Sequence, residues 1–204
     1  MSKSPESDAL ESQIRECFGR VIYTHKTHSK MADRAACTLK WLKILQIGLS
    51  SLTASGAIGI VFTDQFALKL TTAGLSLATV GLTAYMKGFD PGAVAQKHRD
   101  TASDIWPIRE SYLSLLTDLI GGDQSISSIR ERRDALQTSL AAIYKGAPHT
   151  DGKAYGDAQT ALKTNEEYTF SDQEIDVFLP KALRKTEGKI RETADPTNQA
   201  SKNS

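Results

Sequence analysis

Two histidines stand one helical turn apart in Tyr23-Thr24-His25-Lys26-Thr27-His28. On a helix that spacing puts both rings on one face, where they could reach a common cation. Zinc asks for three or four protein ligands. No third ligand stands nearby and lysines follow, so a polar or packing role is expected, and no metal. His98-Arg99-Asp100 echoes a kinase catalytic loop, but the glycine-rich loop, the strand lysine and the D-F-G segment that would share its work are missing. Gly121-Gly122-Asp123 reads as a helix stop and turn. The other glycines cluster in apolar segments with no preceding strand and no following Gly-Lys-Ser/Thr, so they cradle no phosphate. No Ser-His-Asp or Cys-His arrangement suggests itself. The expectation is a protein that is not an enzyme and carries no cofactor.

A second class of polar residue lies inside apolar sequence. Thr72, Ser76, Thr79 and Thr83 are spaced i, i+4, i+7, i+11, one stripe on a helix. Gln46, Ser50 and Thr53 repeat that spacing upstream, and Ser51, Ser55 and Gly59 form a small-xxx-small ridge beside them. In a membrane such residues let helices approach closely and hydrogen-bond across the contact. They are candidates either for packing a hairpin together or for lining a pore. Two spans enclose nothing, so a pore needs several copies of the chain. A third group is basic: Lys26, Lys30, Arg34, Lys40 and Lys43 precede the apolar sequence. These are candidates for contact with anionic lipid or an anionic ligand.

The elements that would position these groups follow from hydropathy. Residues 44–63 contain no charge, and neither do residues 70–86. A membrane span needs about 20 mainly apolar residues, with a range of roughly 17–25. The six residues between the segments predict a tight hairpin of antiparallel helices. Lys69 is the one basic residue in that loop, whereas Lys and Arg flank both outer ends. Such an excess marks the cytoplasmic side, so both termini are expected in the cytoplasm, with Trp41 and Tyr85 at the interface. The alternative is a pair of buried helices in a soluble bundle. Mean hydropathy is −0.33, an average in which the polar remainder masks the two segments.

Across 204 residues, 25 Lys and Arg nearly balance 24 Asp and Glu. That argues against nucleic-acid binding, which favours a basic excess. Cys17 and Cys37 make no disulfide framework and read as reduced. Residues 1–11 are polar, so no cleavable signal peptide is expected.

Outside the hairpin everything reads as helix. Residues 7–43 predict one helix with a Leu10, Ile14, Cys17, Val21 stripe, continuing into the first span. Asp90-Pro91 predicts an N-cap and first helical residue; Pro107 predicts a kink or division of the helix that follows. Ser128-x-x-Glu131 resembles a capping box, with a start near Ser125 as the alternative, and Ser171-x-x-Glu174 is a second box. The expected fold class is all-α: an N-terminal cytoplasmic helix (1–43), a two-transmembrane hairpin (44–86), a C-terminal cytoplasmic helical region (87–185) and a disordered tail (186–204).

The order of these features resembles a known family. Val21-Ile22-Tyr23-Thr24-His25-Lys26-Thr27-His28 leads into the hairpin, followed by Ala95-Gln96-Lys97-His98-Arg99 and Ile108-Arg109-Glu110-Ser111-Tyr112. Then come Glu131-Arg132-Arg133-Asp134, Tyr144-Lys145-Gly146-Ala147-Pro148 and Ser171-Asp172-Gln173-Glu174. The sequence is similar to the bacterial SLATT family of two-transmembrane effector domains across roughly residues 10–185. The resemblance implies an anti-phage effector that forms homo-oligomers in the inner membrane and permeabilises it, ending in abortive infection. It also implies control by a cyclic nucleotide signal or by a defence enzyme partner, a nucleotidyltransferase or a reverse transcriptase. It carries no catalytic residues.

Overall fold

A computed structural model describes residues 5–180 and 183–185. They form helices and connecting loops, with no strand among the described residues. The tail expected from residue 186 lies outside them.

Helix α1 runs unbroken from Pro5 to Phe62, 58 residues. At 1.5 Å per residue that is about 87 Å, enough to cross a bilayer and extend well beyond it. After a three-residue turn, α2 (Phe66–Phe89) folds back against α1, and an ion pair between Lys69 and Asp64 spans that turn.

Asp90 then serves two helices at once. It takes a left-handed conformation, φ 34° and ψ 70°, which Asp tolerates better than most residues. Its N–H donates to the Met86 carbonyl (3.0 Å), closing α2, while its carboxylate accepts from the Ala93 N–H (3.0 Å), opening α3 (Pro91–Gly121). Pro91, at a position where no N–H is needed, is buried there. Helix α3 passes Pro107 without dividing. Pro107 and Ser103, whose carbonyl loses its i+4 donor, both lie on the exposed face, so water can take the freed acceptor.

Helix α4 (Ile126–Gly146) starts at the earlier of its two expected positions: the Ser125 hydroxyl accepts from the Ser128 N–H at 3.2 Å. Outside the hairpin, one face each of α1, α3 and α4 meets in the core. Leu10, Ile14, Cys17 and Val21 of α1 pack with Ile105, Tyr112, Leu115, Leu116 and Leu119 of α3 and Ile129 of α4. The first four are the apolar stripe read from the sequence.

By its internal contacts the chain divides at residue 159, inside α5 (Gly152–Lys163). In the unit that follows, α6 (Asp172–Phe178) opens with a complete capping box in which Ser171 and Glu174 each accept from the other's backbone N–H.

Candidate functional site

The hairpin and the α1–α3 layer beneath it carry the polar groups of interest. In the hairpin, Gln46 Nε2 of α1 donates to Thr83 Oγ1 of α2 at 2.9 Å. Further along, Thr72 is buried against Gly56, where a Cβ would collide with its side chain, and Gly59 meets Leu68. The α2 stripe therefore turns toward α1: Thr72 is buried and Ser76 and Thr79 half-buried, while Thr83 is exposed apart from its bond to Gln46. On α1, Gln46 and Thr53 are half-buried, but Ser50, Ser51 and Ser55 are exposed. Most of the hydroxyls satisfy themselves on the carbonyl four residues back, Ser51 on Ile47 (2.8 Å), Ser55 on Ser51 (3.0 Å) and Thr79 on Leu75 (2.8 Å). Gly56, the tightest point between the helices, lies off the ridge that the sequence marked. Its signal was its place one turn after Thr53, on the inner face.

The outer surface of the hairpin is apolar. Ile47 (66% exposed), Phe62 (81%), Phe66 (77%) and Leu77 (74%) project away from the chain. Helices buried in a soluble bundle would show the reverse; here none of the apolar window of α1 is buried.

Below the hairpin, α1 and α3 bring together a buried polar layer. His25, Lys26, Thr27 and His28 are buried on α1, and His98 and Thr101 on α3. His28 Nδ1 and His98 Nδ1 lie 2.9 Å apart. Two neutral rings make that contact a hydrogen bond, one nitrogen donating and the other accepting; two charged rings would set donor against donor. Burial, reinforced by the charge of His98, pushes His28 down to about 4. Burial, then Lys26, Arg109 and His28, lowers His25 to about 4 as well. Burial also lowers His98, partly offset by the Asp151 carboxylate. The layer is therefore neutral at its histidines near pH 7. His25 packs on Trp106 (5.2 Å between ring centroids), over which the Arg109 guanidinium lies at 4.6 Å. The histidines of one face thus turn to different partners. Among the described residues, no three His, Cys, Asp or Glu side chains converge as a metal site would require. The sequence did not reveal His98 as a partner, because it stands 70 residues from His28 and inside a motif with another meaning.

The basic run is split by the fold. Lys26 is buried in the polar layer, and Arg34 donates to both carboxylate oxygens of Asp151 (2.9 and 3.1 Å). Lys30 is half-buried, and Lys40 and Lys43 are exposed near the start of the apolar segment.

Residues 10–174 match the SMODS and SLOG-associating 2TM effector domain family 4, SLATT_4. The chain belongs to this family. The match takes in both apolar helices and the buried polar layer, so this SLATT domain is a membrane protein and an effector of nucleotide-signalling defence systems. Nothing among the curated proteins or the solved structures matches the chain.

Proposed function

We propose that this SLATT domain assembles into homo-oligomers in the bacterial inner membrane, both termini cytoplasmic, and opens that membrane to ions on command from a nucleotide signal or a partner defence enzyme. The observation that carries this reading is the exposed polar edge of the hairpin. Ser50, Ser51 and Ser55 stand on a surface otherwise made of large apolar side chains and are not covered by α2. Small hydroxyl residues at membrane depth favour close helix contact over lipid contact. A second copy of the hairpin covers that edge, and a ring of copies turns it toward a lumen. The flanking Lys40, Lys43 and Lys87 are exposed on the side that the charge rule assigns to the cytoplasm.

The test is inner-membrane potential, followed with a voltage-sensitive dye in bacteria expressing the chain alone and with its defence partner. Depolarisation that precedes other damage is expected in at least one arm. Ser51→Leu with Ser55→Leu should abolish it while the protein stays in the membrane. Depolarisation unchanged by the double substitution removes the serine edge from the mechanism. The sealed α1–α2 contact, Gln46 to Thr83 and Gly56 to Thr72, favours a second reading in which the hairpin only anchors a helical scaffold that recruits a partner enzyme. Full function after exchange for an unrelated hairpin would establish that reading instead.

A further inference from the structure

The cytoplasmic bundle contains a cavity of about 570 Å³ that the pore reading does not use. Its size falls in the range of small-molecule sites. Four of the six tyrosines of the chain line it: Tyr23 of α1, Tyr112 of α3, Tyr144 of α4 and Tyr155 of α5. Tyr23 and Tyr155 stand with ring centroids 5.6 Å apart, and Tyr144 and Tyr155 are partly exposed at 40% and 46%.

The polar groups at this cavity have an unusual balance. Arg20 Nη2 donates to Cys17 Sγ at 3.5 Å, and Gln137 Nε2 donates to the same sulfur at 3.6 Å. The Tyr112 side chain is wholly buried, and its hydroxyl has no hydrogen-bond partner of ordinary geometry. Arg20 and Gln137, both exposed, therefore share one thiol, which is a weak acceptor. The Arg20 guanidinium lies 3.8 Å from the Glu16 carboxylate, and both side chains are largely in solvent, so Arg20 is free to turn to a ligand at the cavity rim. The Tyr112 hydroxyl is the buried donor of the three, and a buried donor without an acceptor costs about 1–3 kcal/mol. What the wall lacks is a strong acceptor, and an anion supplies several at once.

We propose that this cavity binds an acidic planar heteroaromatic molecule of the nucleotide class. The tyrosine rings offer stacking faces for the base, and Arg20, Gln137 and Tyr112 offer donors for the phosphate. Three of the four helices that line it, α1, α3 and α4, also meet in the core of the bundle, so a bound ligand would bear on their mutual packing. That the ligand serves as the controlling signal rests on the effector reading above; the site itself does not.

Equilibrium dialysis of the full chain in detergent, with AMP and cyclic di-AMP against adenosine and inorganic phosphate, tests the proposal. Saturable binding of at least one nucleotide is expected, tighter than adenosine or phosphate alone. Arg20→Gln should weaken nucleotide binding about tenfold, the order expected for a charge-assisted hydrogen bond, and leave adenosine unchanged. Tyr144→Ala should weaken nucleotide and adenosine together. Circular dichroism of both variants checks that the helices persist. No saturable nucleotide binding, or binding indifferent to both substitutions, overturns the site. Phosphate binding as tight as nucleotide binding overturns the base-stacking half. Dye release from vesicles carrying the same protein is read in parallel: leakage without nucleotide binding sinks only the site, and nucleotide binding without leakage under any condition sinks only the pore.

Discussion

At the scale of single residues, the histidine pair sets a pH dependence. His25 and His28 titrate near 4 when folded, against an ordinary value of 6.5. Between those values the unfolded chain takes up protons that the folded chain refuses, so stability rises with pH through that window. Their contribution is fully present above pH 6.5 and is lost as pH falls toward 4. The thermal midpoint of the helices outside the hairpin, followed by circular dichroism in detergent, should fall from pH 7 to pH 5. His28→Gln, which keeps a hydrogen-bonding group but cannot charge, should flatten that fall; an unchanged slope would take His28 out of the dependence. Little of this was legible beforehand. The spacing of His25 and His28 shows that they share a face, but a helix face does not announce what packs on it. The pairing to His98 and the stacking of Trp106 arise from the way α3 returns along α1, which no local pattern records.

At the scale of elements, the hairpin is held by a few close points. Gly56 admits Thr72, and a side chain at Gly56 has nowhere to go. Gly56→Ala should destabilise the hairpin by about 1–3 kcal/mol through overpacking. Thr72→Ala in the same chain should recover part of that loss by removing the colliding atoms, so the two changes combine non-additively. Thermal unfolding in detergent across the double-mutant cycle reads this directly; simple additivity would mean that the two residues do not meet. The helices themselves were readable because each announces its period and its caps. Charge-free stretches of span length, the Asp90-Pro91 start and the Ser171-x-x-Glu174 box all correspond to observed features. Pro107 read as a kink or a division of the helix because proline removes a helical hydrogen bond, and the helix does not divide there. The cost is small where the orphaned carbonyl faces water, and exposure is a tertiary property.

At the scale of the whole molecule, family and fold agree that the apolar helices belong in a membrane. If so, the chain should stay with the membrane fraction through an alkaline carbonate wash; release into the supernatant would return the hairpin to the soluble alternative. The all-α class was legible because no stretch alternates at period two. The tyrosine-lined cavity was not, because its walls come from residues scattered between positions 17 and 155. Each tyrosine alone reads as ordinary core or surface. Only the bundle brings their rings, and the donors beside them, to one place.

Helix α1 crosses from that bundle into the apolar segment with no proline after Pro5 and no loop between. A continuous helix resists twisting, as a drive shaft does. If a ligand turns α1 where Arg20 and Tyr23 sit, the turn would arrive at Ser51 and Ser55 as a change in which direction those hydroxyls point. Each residue advances the helix by about 100°. In the proposed assembly a rotation of a fraction of one residue would then be enough to swing a serine from lipid toward a neighbour, without any part of the span moving along the membrane normal.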